Sequence, residues 1–245
     1  MKLIAEIGLN HLGSDTKAIS IVKKCLSFDL DGITLQVQPE EYYDKKKNYK
    51  RELKKETYIK ISKIIKKRKK LFGLALMDEY SYEKYKNIKF NFFKILSTAF
   101  KNKKLIDKIY SSKTNIYIST GVANLSEIKK KAAKYPKANF IHTTLSDKAK
   151  DANILAINTM KKNLKNKVSF GLHSKDQEAV LGAASFSPHS IFFYIKPDKN
   201  CYYPDDKHAI KIKKISDMIK QVRIIKNCIG SGKKSKKEIP GWVFE

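Results

Sequence analysis

Eight short apolar runs, each followed by a longer amphipathic, lysine-rich stretch, recur along the whole chain, and no other feature restricts its fold as tightly. The runs fall at residues 3–9, 32–37, 71–76, 92–97, 115–121, 139–144, 167–173 and 190–196. Their length and apolar character predict strands. Between them apolar residues lie three and four apart, as in Ile19, Ile21, Val22, Cys25 and Leu26, or Leu125, Ile128, Ala132 and Ala133. That spacing predicts one-sided helices covering a parallel sheet. A last stripe of Ile212, Ile215, Met218, Ile219, Val222 and Ile225 predicts a helix over 210–225. Eight strand and helix pairs in 245 residues are what an α/β chain needs to close a (β/α)8 TIM barrel, typically about 250 residues long. An open doubly wound sheet is the rival, but no glycine-rich dinucleotide turn and no shift of pattern marks a switch point. The barrel is expected over 1–227, with 228–245 a short basic tail.

Composition narrows the environment. No long uninterrupted apolar segment is present and the chain enters a strand at once, which predicts neither signal peptide nor membrane span, hence a cytoplasmic protein with no membrane partner. Cys25, Cys201 and Cys228 are odd in number and far apart, so they are expected as free thiols, with Cys25 on a buried helix face. The net charge of +28 invites a nucleic-acid reading. Against it, only Arg51, Arg68 and Arg223 of the 52 basic residues are arginine, the residue that base readout and phosphate forks favour. Lysines decorate nearly every helix and no nucleic-acid module is present, so no specific nucleic-acid partner is expected. What remains is a general attraction for anionic ligands, phosphorylated ones included.

In such a barrel the active site lies at the C-terminal ends of the strands, which turns a list of polar residues into a map. Strand one ends in Glu6, Asn10 and His11, strand two in Gln36, strand four in Lys94 and Ser97, and strand five in Ser119 and Thr120. Strand six carries His142 with Thr143 and Thr144, strand seven His173 and Ser174, and the segment after strand eight Asp205 and Asp206. An inward lysine needs an anion or a carboxylate to offset its desolvation. Glu6 could serve Lys94 in that way for structure, for catalysis or for both. His142 reads as a barrel-interior polar group, and His11 as a partner of either a neighbouring loop or a substrate. His189 and His208 carry no ligand spacing and read as exposed loop residues.

Several of these segments carry a resemblance. Ala5-Glu6-Ile7-Gly8-Leu9-Asn10-His11-Leu12-Gly13, Phe93-Lys94-Ile95, Ile118-Ser119-Thr120-Gly121 with Leu125-Ser126-Glu127-Ile128, and Pro204-Asp205 occur in the order found in the sialic acid synthase family. The chain resembles that family from about Leu3 to Ile225. Its members condense phosphoenolpyruvate with an N-acetylated amino sugar such as N-acetylmannosamine, in nonulosonic acid biosynthesis, and use a divalent metal, Mn or Mg, as Lewis acid. The resemblance implies catalytic roles for Glu6 and Asp205. It implies substrate binding by Lys94, Ser97 and Ser119 and a metal ligand in His173; Asn10 and Gln36 join the expected substrate-binding residues from their places at the strand ends.

The pattern also departs from the family. The second-strand lysine that grips phosphoenolpyruvate falls on Thr34, and the Ser-Thr-Pro-Phe segment of strand three reads Leu74-Ala75-Leu76-Met77. The glutamate after the strand-four lysine falls near Ala99, and the strand-six Cys-Thr segment reads Thr143-Thr144-Leu145-Ser146. The strand-eight run bearing the second metal histidine becomes Phe192-Phe193-Tyr194-Ile195, and the strand-seven Ser-Asp-His becomes Gly171-Leu172-His173. The family's C-terminal antifreeze-like domain has no counterpart here, and residues 230–245 read as a Gly, Ser and Lys stub ending in Trp242, Val243 and Phe244. Three readings follow: a divergent synthase, a pseudoenzyme that binds a sugar, a phosphate or a protein without turnover, or an aldolase using Lys94 as an imine-forming amine. An oligomer is compatible with each.

Overall fold

Local signals start the helices where the pattern places them. Ser14 caps α1 (Asp15–Cys25) by accepting the Lys17 N–H, and Asn124 and Glu127 form a reciprocal capping box at α5 (Leu125–Lys134). The remaining helices are α2 (Lys55–Lys67), α3 (Glu79–Tyr85), α4 (Lys103–Ser111), α6 (Ala156–Asn163), α7 (Glu178–Ala184) and α8 (Ile215–Cys228). They surround strands β1 (Lys2–Gly8), β2 (Gly32–Gln36), β3 (Leu71–Leu76), β4 (Phe92–Ile95), β5 (Asn115–Ser119), β6 (Asn139–Thr143), β7 (Val168–Leu172) and β8 (Ser190–Lys196). The structure is a computed structural model that describes residues 1–44, 46, 47 and 50–233. Each strand pairs in parallel with the next, and β8 returns to β1, so the sheet closes into a (β/α)8 barrel.

Strand alternation divides the apolar residues between two cores. Leu3, Ala5 and Ile7 of β1, Ile33 and Leu35 of β2 and Ile191, Phe193 and Ile195 of β8 face the helices and join the large outer core. Ile4, Phe92, Tyr117, Ile141 and Phe192 face inward and form a separate cluster inside the barrel. Phe92, Tyr117 and Phe192 meet edge to face, with centroids 5.1–6.0 Å apart. Gly73 on β3 makes room for them, since a Cβ there would lie 2.2 Å from the Phe92 ring. The lower barrel is thus solid, and polar inward residues are left to the layer above it.

Some expectations need correction. The run 92–97 stops being strand at Ile95, and Ser97 opens a short 3-10 turn to Ala99. The final helix starts at Ile215 rather than 210, because Ile210–Lys211 forms a short strand, β9, that pairs with Ile195 and Lys196 of β8. Backbone groups at the end of β8 find partners there that a helix would not supply. His142 is not a barrel-interior group: its inward neighbours on β6 are Ile141 and Thr143, while its own ring turns to the helix layer beside Phe170 and bonds the Ala152 carbonyl at 3.1 Å. Cys25 is fully buried, which pushes its thiol up to about 12, and Cys201 and Cys228 are exposed free thiols. Among the described residues no helix is long and apolar enough to cross a membrane. Most of the expected tail, including Trp242, Val243 and Phe244, lies outside the described residues.

Candidate functional site at the barrel mouth

The inward positions of β1 and β4 bring Glu6 and Lys94 together across the barrel. Lys94 Nζ lies 2.5 and 2.7 Å from the two Glu6 oxygens, and both side chains are about 97% buried or more. A buried lysine would be costly alone, and the bidentate carboxylate offsets its desolvation. Thr34, paired in register with Glu6, donates its hydroxyl to Oε1 at 3.4 Å. Below and beside the ammonium lie the rings of Phe192 and Tyr194, at 5.3 and 5.6 Å. The pair therefore sits directly on the aromatic floor of the barrel.

Hydroxyls and amides complete the layer. Ser97 Oγ accepts the Gly121 N–H at 3.1 Å, tying the ends of β4 and β5. Ser119 is buried, and its Oγ has no hydrogen-bond partner among the described residues. Gln36 Oε1 accepts the Tyr194 hydroxyl at 3.2 Å, so Tyr194 spans the mouth from β8 to β2. Burial, followed by the Glu6 and Asp205 carboxylates, pushes the Tyr194 phenol well above its ordinary value, which keeps it a donor.

Asn10 and Asp205 fasten the first strand to the last. Asn10 Nδ2 donates to the Ile195 carbonyl at 2.7 Å, while its Oδ1 accepts the Asp205 N–H at 3.1 Å. Asp205 Oδ2 in turn accepts the Leu9 N–H at 3.2 Å. This contact requires glycine at position 8: φ is +56°, and a Cβ would lie 2.3 Å from Asp205 Oδ2 and 2.9 Å from Tyr194. Both ends of the Asn10 amide and one Asp205 oxygen are thus engaged by the protein itself.

The histidines divide into distinct environments. His173 stacks on His208 at 5.2 Å and meets the Tyr194 ring edge at 5.5 Å. Burial, then Lys94 and His208, hold its imidazole down to about 3, so it is neutral near pH 7. His208 corrects the expectation of an exposed loop residue: it is half-buried, 4.7 Å from the Tyr194 ring, with Nε2 3.4 Å from Asp205 Oδ1. Tyr194 and His208 are the mouth residues that the sequence did not single out. The strand parity of Tyr194, even-numbered like Phe192, was the available signal, whereas nothing in the sequence ties His208 to His173. His11 accepts the Gly13 N–H at Nδ1, so its Nε2 bears the proton; that atom is buried without a partner among the described residues. Burial holds His11 down to about 4. His189, also expected to be exposed, is half-buried at the opposite end and stacks on Tyr117 at 6.4 Å.

The divalent metal that the resemblance implies does not fit these side chains. Among the described residues no group of three or more His, Cys, Asp or Glu side chains gathers into a metal-binding cluster, the number a catalytic zinc site usually has. His173 faces a stacked ring and a phenol rather than converging ligands.

Fold and site together define a (β/α)8 barrel with a buried carboxylate and ammonium at its C-terminal mouth, the end where barrels of this architecture carry their chemistry. The chain belongs to the NeuB family, whose model matches residues 22–234. The N,N'-diacetyllegionaminic acid synthase of Campylobacter jejuni is 29% identical over 157 residues, covering 60% of this chain and 47% of that protein. The chain thus aligns with about half the length of that relative. Among solved structures, the N-acetylneuraminic acid (sialic acid) synthetase of Leptospira borgpetersenii serovar Hardjo-bovis, determined in complex with citrate, superposes with a TM-score of 0.85 at 24% identity, covering 95% of this chain and 86% of that one. The spore coat polysaccharide biosynthesis protein SpsE of Bacillus subtilis superposes with a TM-score of 0.83 at 19% identity, covering 96% and 72%. At these identities the structural likeness concerns the fold.

Proposed function

We propose that the chain is a divergent sialic acid synthase-type protein that condenses phosphoenolpyruvate with an N-acetylated amino sugar at the barrel mouth. The observation that carries this reading is the Glu6 and Lys94 pair, set among Ser97 and Ser119 at the ends of β4 and β5. In this reading the phosphoenolpyruvate anion displaces Glu6 from Lys94, and Ser119, whose hydroxyl has no partner among the described residues, donates to it. The enol carbon forms the new C–C bond with the sugar aldehyde. Water adds to the phosphate-bearing carbon; Glu6 takes one proton from that water and passes it to the former aldehyde oxygen, which becomes a hydroxyl, and inorganic phosphate leaves with the C–O bond electrons and the second water proton as the ketone forms. In this reading Asp205, at the rim beside Gly8, accepts hydrogen bonds from sugar hydroxyls.

A second reading, binding without turnover, is favoured by a different observation. Tyr194 lies beside the pair and His208 packs against it, and Thr34 stands where the resemblance expects a phosphate lysine. The two readings separate in one experiment. The full chain is incubated with phosphoenolpyruvate, manganese and a panel of N-acetylated hexosamines, and phosphate release is followed alongside thermal shift. Release that disappears in Glu6→Gln supports synthesis. A thermal shift with phosphoenolpyruvate but no release with any sugar leaves only binding, and neither response would sink both.

A further inference from the structure

The two ends of the barrel differ in charge. Because all eight barrel strands run in one direction, every connection from a helix into the next strand lies on the N-terminal face, opposite the mouth. These seven connections hold nine lysines and arginines but only two carboxylates, Asp29 and Asp31, and Arg223 binds both. The eight connections at the mouth hold fifteen bases and eleven acids, close to balance. Among the described residues, Lys86 alone of the nine is ion-paired, with Glu83. Lys69, Lys89, Lys113, Lys137, Lys165 and Lys167 project from successive connections and are all exposed. Helix dipoles favour bases in the last turns of helices, but that bias does not reach into the connections beyond them.

The surface has relief as well as charge. A cleft of about 370 Å³ is lined by Lys66, Lys69, Lys70 and Lys89, and another of about 470 Å³ by Lys113 and Lys137. The crowding of like charge is felt locally: His189 is held down to about 4 by burial and then by Lys167, Lys2 and the N-terminal ammonium.

We propose that this N-terminal face is a docking surface for an anionic lipid bilayer. Lysine ammoniums suit phosphodiester headgroups presented as a plane of charge, while Arg68 is the only arginine in the seven connections. No aromatic residue in them is exposed, so the face lacks the stacking platform that single-stranded nucleic acid uses. The chain also continues from this side. α8 ends here at Cys228, and the sequence goes on through Lys233, Lys234, Lys236 and Lys237 to Trp242, Val243 and Phe244. A polybasic segment followed by aromatic and apolar residues is a composition that adheres to anionic headgroups. Surface association of this kind needs no spanning helix.

The test is co-sedimentation of the full chain with vesicles of phosphatidylcholine alone or with about one third phosphatidylglycerol. Binding to the anionic vesicles only, and its loss when salt is raised from about 0.1 to about 0.5 M, is the expected result. Replacing Lys66, Lys69, Lys70 and Lys89 with glutamate should weaken binding at least about tenfold. The same charge change at the mouth, Lys148, Lys150, Lys199 and Lys207 to glutamate, should weaken it far less, with the melting temperature of both variants checked by circular dichroism. Equal losses in the two variants would assign the effect to overall charge and overturn the proposal. Binding to a single-stranded oligonucleotide without binding to vesicles would overturn it as well.

Discussion

Lys94 is held in the barrel by a single carboxylate, and the balance between them is delicate. Removing one partner of a buried pair leaves the other charge uncompensated, at a cost of about 3–5 kcal/mol, whereas replacing both is often close to neutral. Lys94→Met should therefore lower urea stability by about 3 kcal/mol, and Glu6→Gln with Lys94→Met should recover most of that loss. Equal instability of the single and double variants would show that the site needs the charges for its shape. Gly8 makes a second prediction. Gly8→Ala places a Cβ in the left-handed region and against Asp205, so it should cost more than about 1 kcal/mol. Adding Asp205→Ala should relieve the collision but leave the backbone strain, a partial recovery measurable in the same denaturation series. At this scale the sequence was informative about chemistry and silent about partners. Glu6 and Lys94 could be matched because a desolvated lysine needs an anion. By contrast, the Asn10 contacts to Ile195 and Asp205 span 185 and 195 residues, and no local rule connects positions so far apart.

Elements were more legible than contacts. Strand identity followed from apolar runs, since strands buried on both faces carry an unbroken signal. Their ends did not follow so well: Leu96 is still extended, but Ser97, read as the end of the run, already opens a 3-10 turn. β9 is not legible in the sequence for a different reason: two residues carry no periodicity, and Ile210 and Ile212 fit a helical stripe equally well. The error over His142 was one of parity, a single-residue step that moves a side chain from the barrel interior to the helix layer. Helix starts were set by chemistry that can be tested directly. In α5, Asn124→Ala removes the side-chain acceptor of the Glu127 N–H, and a loss of about 1 kcal/mol in thermal or urea unfolding is expected. No loss would mean that the box is redundant with packing of Ile128 and Ala132.

Across the whole molecule, buried neutral histidines couple stability to pH. His11 sits near pH 4 in the folded chain against about 6.5 when unfolded. Between those values the unfolded chain binds the extra proton, so stability rises with pH through this window, is complete above about 6.5 and is lost progressively toward 4. At roughly 1.4 kcal/mol per pKa unit, His11 can account for up to about 3 kcal/mol. Urea midpoints between pH 7 and 4.5 should fall more steeply in the native chain than in His11→Gln, and parallel curves would assign the acid sensitivity elsewhere.

The join between β8 and β1 has a consequence in time. Glu6 is synthesised long before Tyr194, Asp205 and His208, yet they meet in one layer, with Leu9 bonded to a residue 196 positions later. Domains emerging from the ribosome tend to gather structure from the N-terminus onward, but here early folding cannot complete the mouth. Until the eighth strand docks, β1 is an open edge and Lys94 has no Tyr194 beside it. A nascent or prematurely terminated chain would hold most of the helices and none of the finished site, so ligand recognition arrives in a single late event at barrel closure.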